Sequence, residues 1–562
     1  MGKIMAKMTG AQVLAQMLDA YGVTHVFMVP AVLRASFAEM ERRTGIKRIH
    51  CHGEKAAAYM ADGYARSSGR PGVCMAQVIG ALNLAAGLRD AWLAHSPVIA
   101  FTGGREPKTQ YRKVYQEIND MPAFEPVTKF NATVDAAERF PDMIAQAFRV
   151  ATSGSPGPVH LQFRGNEGQV DGEEADMAPR IETQFSRVPP FRPAPEEASV
   201  TAALVLLQQA ARPVIIAGGG VRASGAAREL VALAEKLAIP VATSLNGKDS
   251  ITGNHPLSVG VVGSYSRESA NRVVAQADLV CFVGSETGGM TTHFWAVPKI
   301  GVDAIQIDID AESLGRNYPL KAAVLGDART VLALMCEHAD ASTASRRSPW
   351  IGTVQGICAE WREKYRALLA SDAVPMRPER LCADLSAALP DDVIVMVDTG
   401  HAGMWMGSMF DLRSASQSYI RSAGHLGWAF PAGIGAKAAC PERPVVVFTG
   451  DAGFWYHIAE IETAVRWGIN SVTVVNNNSG GNQSKRGFDR AYGGEQTEKA
   501  RELWTFSKVN FARIAEEMGA LGIRVERPAD FIPALQRALK AGRPVVIDAV
   551  TDIEALAPLA VS

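Results

Sequence analysis

The sequence predicts an α/β protein made of three doubly wound parallel-sheet domains. Three observations predict it. Apolar runs of strand length recur along the whole chain, helix-length segments separate them, and many of the runs end in glycine-containing turns. The 562 residues, at roughly 150 residues per domain, leave room for three or four such units.

The elements follow in order. Ala11 to Tyr21 reads as an amphipathic helix and His25 to Val29 as a short strand. Glu54 to Arg66 is alanine-rich and helical, Gly72 to Gln77 is a strand, and Asn83 to Leu93 is a helix. Pro97 to Thr102 is a buried strand running into Gly103-Gly104. This alternation is the signature of βαβ units. The stretch 171–197 turns acidic and then proline-rich (VPPFRPAPEE), the composition of a linker. A second unit follows, with strand-like PVIIAGGG, PVATS, ADLVCFVGS and AIQIDID separated by helix-length segments. Residues 340–378 read as a second linker. The third unit carries VIVMVDTG, PVVVFTGD, SVTVVNNN and PVVIDAV. The expected domains are 1–190, 191–355 and 356–562, and the first and third resemble distant copies.

Composition narrows the class. With 57 Lys+Arg against 58 Asp+Glu the net charge is −1, which argues against a nucleic-acid partner. A hydrophobic share of 47% argues against disorder. The seven cysteines form no C-x-x-C pair, so neither a disulfide framework nor a zinc site is expected. No apolar run reaches the roughly 20 residues that span a bilayer, and MGKIMAKMTG has no secretory core. A soluble, cytoplasmic protein without membrane partners is the expectation.

The chemistry concentrates in the third unit. The strand at Val445–Phe448 ends in Thr449-Gly450-Asp451. After Ala452 come 24 residues and then Asn477-Asn478. In parallel sheets ligands bind beyond the carboxyl ends of strands. An Asp carboxylate, an Asn amide oxygen and a backbone carbonyl are hard donors suited to Mg²⁺, which in turn bridges to a phosphate. Gly450, Gly453, Gly480 and Gly481 allow close backbone approach. Alternatively, Asp451 only caps a helix and the asparagines only make a turn.

Gly450-Asp451-Ala452, the gap and Asn477-Asn478 resemble the signature of thiamine diphosphate enzymes, with Ala452 in place of a third glycine. The resemblance implies that Asp451, Asn478 and the Gly480 carbonyl hold the metal. Three consecutive asparagines, Asn476 to Asn478, leave the register open by one. The segment HGEKAAAYMADGYAR resembles the family's pyrimidine-binding helix, and implies that Glu54 hydrogen-bonds a pyrimidine nitrogen of the cofactor. A helix-dipole role for Glu54 is the alternative. Gly424-His425-Leu426-Gly427 resembles the segment that supports the bent cofactor. Leu426 would be the apolar wedge, or an ordinary core leucine, and the Gly424 carbonyl an acceptor for the amino group. VDTGHAGMW places Gly400 and His401 at a helix start suited to a diphosphate, with Met404 against the aminopyrimidine or in the core.

Tyr115-Gln116-Glu117 and Thr128-Lys129 are similar to motifs of acetolactate synthases, and Gly80 and Asn83 match part of a third. Gln116 and Gln77 are candidate catalytic groups facing the substrate, or simply surface or core polar residues. Together the matches imply pyrimidine-binding, central and diphosphate-binding domains. They imply thiamine diphosphate and Mg²⁺ as cofactors and a 2-oxo acid decarboxylase or carboligase acting next to a carbonyl. They also imply a homodimer or homotetramer whose cofactor lies between chains. The helix AEIETAVRWGIN resembles oxalyl-CoA decarboxylases and 2-hydroxyacyl-CoA lyases, so an acyl-CoA substrate is the alternative, and a non-catalytic cofactor-binding relative another. The central unit, with Gly218 to Gly220 and with Asp308 and Asp310, stands where relatives bind FAD or ADP.

Overall fold

The computed structural model describes residues 6–559. Each of the three units folds around a six-stranded, wholly parallel sheet with helices on both faces. In the first sheet the order across the layer is Lys47–His50, His25–Met28, Gly72–Ala76, Val98–Gly103, Val159–Phe163 and Phe130–Val134. In the third it is Ser418–Arg421, Ile394–Val397, Val445–Gly450, Val472–Asn477, Val545–Val550 and Leu521–Val525. Numbered along the chain, both read 2-1-3-4-6-5, so the first and third units share one topology. The central sheet reads 3-2-1-4-5-6 by the same count, with Pro213–Ala217 and Leu279–Val283 as its middle pair.

These orders fix where ligands can enter. Each sheet reverses its winding direction between two adjacent strands, and a crevice opens beyond their carboxyl ends. In the third unit those ends are Val397 and Gly450, so the residues that follow, through Gly400 and Asp451, line one crevice. In the first unit they are Met28 and Ala76, which places Gln77 at the equivalent position.

The predicted strands form where their apolar runs are buried on both faces, as in Val98–Gly103 and Val445–Gly450. The presumed linkers carry more structure than their composition suggests. Glu174–Met177 pairs antiparallel with Ala6–Thr9. A 22-residue helix spans Ser348–Leu369. Its Trp350 and Ile357 join the central core, and its Trp361 joins the third core.

The first and third units meet through small residues. Helix Glu54–Ser68 crosses helix Ala429–Ala439 so closely that a Cβ at Gly63 would lie 2.0 Å from the Ala432 carbonyl oxygen. A Cβ at Gly435 would lie 1.9 Å from that of Met60. One continuous core, including Ala57, Tyr64, Trp428 and Phe430, results. No helix among the described residues is long and apolar enough to cross a membrane.

Candidate active site

Asp451 opens the helix Asp451–Trp455 directly after its strand. It is 2% exposed and has no cationic partner among the described residues. Its Oδ1 accepts from the Ala452 N–H at 2.8 Å and its Oδ2 from the Gly480 N–H at 3.0 Å. Burial pushes the carboxyl up to about 7, against those N–H groups, which pull it down. A buried carboxylate without a counter-charge is costly, and a bound divalent cation would remove that cost.

The three asparagines separate cleanly. Asn476 Oδ1 accepts from the Thr551 hydroxyl at 2.7 Å, and Asn477 Nδ2 donates to Asp548 at 2.8 Å and to the Val509 carbonyl at 3.0 Å. Asn478 is half-buried, and its Oδ1 accepts only from the Gly480 N–H, at 3.1 Å. Gly480 thus bonds both Asp451 and Asn478, and Asn478 is the asparagine whose oxygen stays beside the carboxylate. This oxygen set fits Mg²⁺, which takes few protein ligands and binds through a phosphate.

Gly400, with φ +67, turns the chain into the helix His401–Ser408, a backbone that favours glycine. Burial holds the His401 imidazole down to about 4 and so neutral, and its Nδ1 is buried without a partner. Met404 is 5% exposed and packs in the core with Trp405 and Met406. Gly424 is exposed, Leu426 half-buried, and Ala452 and Gly450 half-buried beside Asp451. Gly453 lies against Asp398, where a Cβ would come within 2.6 Å of the carboxylate.

Two acids that sequence reading missed shape this crevice. Asp90, on the first unit's helix Ala81–Leu93, accepts from the Ser422 hydroxyl (2.8 Å) and from the N–H groups of Ala423 (2.9 Å), Gly424 (3.2 Å) and His425 (3.0 Å). Asp398 accepts from the Gly427 N–H at 3.1 Å and from the Thr449 hydroxyl at 2.9 Å, and burial raises its carboxyl to about 6. Asp398 stood inside the quoted VDTG. No local signal marks Asp90, because its partners lie more than 300 residues away.

In the first unit Glu54 opens its helix and is half-buried. Asn83 Nδ2 donates to its Oε2 at 3.1 Å. Its Oε1 lies against Gly80, where a Cβ would come within 2.3 Å. The sequence match at Gly80 and Asn83 therefore falls on the two residues that touch Glu54. Gln77 Nε2 donates to Gln116 Oε1 at 3.1 Å, with Gln116 at φ +62. No hydrogen bond joins Glu54 to Asp451, Asn478 or Gly480 within one chain, among the described residues.

The fold and this crevice define an enzyme of the thiamine pyrophosphate class. Three family models match in order: the N-terminal thiamine pyrophosphate binding domain over residues 8–123, the central domain over 200–335 and the C-terminal binding domain over 398–549. The chain is 31% identical to a probable acetolactate synthase large subunit of Methanocaldococcus jannaschii, over 97% of this chain and 92% of the relative. It is 31% identical to a sulfoacetaldehyde acetyltransferase of Alcaligenes xylosoxydans xylosoxydans, over 96% and 93%. It is 29% identical to a glyoxylate carboligase of Escherichia coli O157:H7, over 95% and 91%. The chain belongs to the thiamine pyrophosphate enzyme family and is acetolactate synthase-like.

Proposed function

We propose that this protein is a thiamine diphosphate- and Mg²⁺-dependent enzyme that forms or cleaves a C–C bond next to the carbonyl of a 2-oxo acid. The observation that carries the reading is the cluster of the buried Asp451 carboxylate and the half-buried Asn478 oxygen around Gly480 beyond the strand ends, with no lysine or arginine paired to it among the described residues. Bound thiamine diphosphate supplies the electron sink for such bond changes. The protein's residues supply the rest. Asp451, Asn478 and the Gly480 carbonyl hold Mg²⁺, and the backbone at Gly400, His401 and Gly450 to Gly453 receives the diphosphate. Gly424 and Leu426 support the rings, with Met404 behind them. Glu54, seated in the space that Gly80 leaves, would hydrogen-bond a pyrimidine nitrogen of the cofactor. Gln77 and Gln116, already bonded to each other, face the substrate as a pair.

Glu54 and Asp451 serve one cofactor across two chains in this reading. Large apolar side chains beside the Gln77–Gln116 pair support a partner chain: Ile79 is 54% and Tyr115 81% exposed. A homodimer is the minimum unit, and a tetramer is its pairing. Any FAD or ADP would occupy the cavity that Gly218 to Gly220, Asp308 and Asp310 of the central unit line together with residues of the other two units.

Purified protein with thiamine diphosphate and Mg²⁺ should be screened against pyruvate, glyoxylate, oxalyl-CoA, a 2-hydroxyacyl-CoA and aromatic 2-oxo acids. Turnover of a free 2-oxo acid is expected, and turnover of the thioesters alone would favour an acyl-CoA lyase instead. Glu54→Gln should bind cofactor and lose turnover; full activity in that variant would sink the assignment. Asp451→Ala should weaken both Mg²⁺ and cofactor binding in calorimetry, and unchanged affinities would refute the metal site.

A further inference from the structure

A cluster of titratable side chains that the cofactor reading leaves unused lies between the first and third units. Tyr59 is its buried centre. The rings of His425 and His457 both stand edge-to-face with it, each with its centroid 5.5 Å away. The Tyr59 hydroxyl bonds His425 Nδ1. Lys55, one turn before Tyr59 on the same helix, holds its ammonium over the Tyr456 ring, 5.1 Å from the centroid. Tyr456 packs on Gly427, where a Cβ would come within 2.7 Å of Tyr456 Cβ. The cluster therefore adjoins Gly424 and Leu426, the residues assigned above to the cofactor rings. It opens to solvent, since Gly424 and Tyr456 are exposed and Lys55 and His425 only half-buried.

The protons in this cluster can be placed. Burial and the charges of Asp90, Asp398 and Asp62 keep the Tyr59 phenol protonated, so it donates and His425 Nδ1 accepts. Burial lowers the His425 pKa, Lys55 and Arg89 lower it further and Asp90 raises it, so the neutral ring is the resting form. A neutral imidazole that accepts at Nδ1 carries its proton on Nε2. That Nε2–H makes no hydrogen bond among the described residues. Burial holds His457 down to about 3, with Lys55 and His425 adding to the effect, so it brings no charge. Lys55 has no hydrogen bond or ion pair among the described residues, and burial alone shifts its ammonium. Asp90 spends its oxygens on the loop 422–425. Lys55 and the exposed Arg89 against Asp90 leave the cluster one net positive charge. A half-buried ammonium without a counter-charge, beside a fixed N–H donor, suits a singly charged carboxylate.

We infer that the Lys55 ammonium and the His425 Nε2–H hold the carboxylate of the substrate, with Tyr59 as the positioning residue that fixes the imidazole's tautomer. The inference deepens the proposed function and rests on it for the identity of the substrate; the carboxylate site itself rests on the cluster.

The test is calorimetry on the full-length protein with oxamate, an unreactive carboxylate, and ethyl oxamate, its uncharged ester. Each is titrated with and without thiamine diphosphate and Mg²⁺. Oxamate should bind and the ester should not. Lys55→Met should weaken oxamate binding by about tenfold or more, and Lys55→Arg should restore it. Tyr59→Phe, which frees the imidazole to change tautomer, should weaken it by about threefold. With a 2-oxo acid that turns over, Lys55→Met and Tyr59→Phe should raise KM more than they lower kcat, a split that a merely structural role would not produce. If Lys55→Met does not fold, Lys55→Gln should show the same weakening. Oxamate binding that depends on Lys55 supports the site even where no 2-oxo acid turns over, a result that would sink the proposed function alone. Absence of oxamate binding, equal binding of the ester, or oxamate affinity unchanged in the Lys55 variants overturns the inference whatever the enzyme turns over.

Discussion

The carboxylate of Asp90, on a helix of the first unit, accepts from the His425 backbone N–H of the third unit at 3.0 Å. It takes three further bonds from Ser422, Ala423 and Gly424. One fully buried side chain thereby sets the path of the loop between Arg421 and Leu426. Asp90→Ala would leave the Ala423 and His425 N–H groups without an acceptor, since Ser422 and Gly424 keep partners within the loop, and would remove one of the two acids facing Arg66. A loss of about 3 kcal/mol or more is expected, read by denaturant unfolding, together with weaker thiamine diphosphate binding. Wild-type cofactor affinity in a folded variant would show that the loop's path does not depend on Asp90.

Gly80 leaves the space that the Glu54 carboxylate uses. A methyl group there would come 2.3 Å from Oε1, and the flexible end of the glutamate would move aside. Gly80→Ala should therefore lower turnover, on the order of a hundredfold for a misplacement of this kind. Thermal unfolding should change little. Equal turnover in the variant would mean that the position of Glu54 is not critical.

Gly63 marks one of the two closest approaches of the first and third units, with Gly435. Any side chain must push the helices apart, since the Ala432 carbonyl is backbone and cannot swing away. Gly63→Ala is expected to cost at least about 2 kcal/mol. Its unfolding midpoint in urea, compared with that of Gly154→Ala, where the Cβ meets nothing within 4 Å but φ is +59, measures this crossing against backbone strain alone.

His160 gives the first unit an acid sensitivity. Its ring is stacked on Phe124 at 3.5 Å and bonded to Thr102 and Asn131, each at 2.7 Å. Burial lowers its pKa from 6.5 to about 3. Between those values the unfolded chain takes up a proton that the folded chain refuses. Stability should thus be unaffected by this group above pH 6.5 and fall as pH drops toward 3, by up to about 4 kcal/mol. His160→Gln, which cannot protonate, should flatten that part of the pH–stability curve. A curve parallel to the wild type would assign the acid sensitivity to other groups.

Much of the fold was legible because strands buried on both faces are continuous apolar runs. Val98–Gly103, Pro213–Ala217 and Val445–Gly450 each stood out in this way. The edge and mixed strands did not. Lys47–His50 (KRIH) has a single buried side chain, and Ala322–Leu325 alternates buried with exposed. Lys47–His50 has no apolar run, and Ala322–Leu325 (AAVL) is apolar but too short to stand out, only alternate residues of it being buried.

The sequence by itself determined the class of fold and the chemistry-bearing motifs, since glycines after strands, a Gly-Asp turn and paired asparagines are local signals that a few adjacent residues carry. Tertiary structure alone decided which asparagine lies beside Asp451, that Gly80 and Asn83 attend Glu54, and that Asp90 holds the loop after Arg421. Those roles depend on partners distant in the chain, within one unit for Asp451 and Glu54 and across two units for Asp90, and polar groups choose their partners by distance in space rather than by position in the chain.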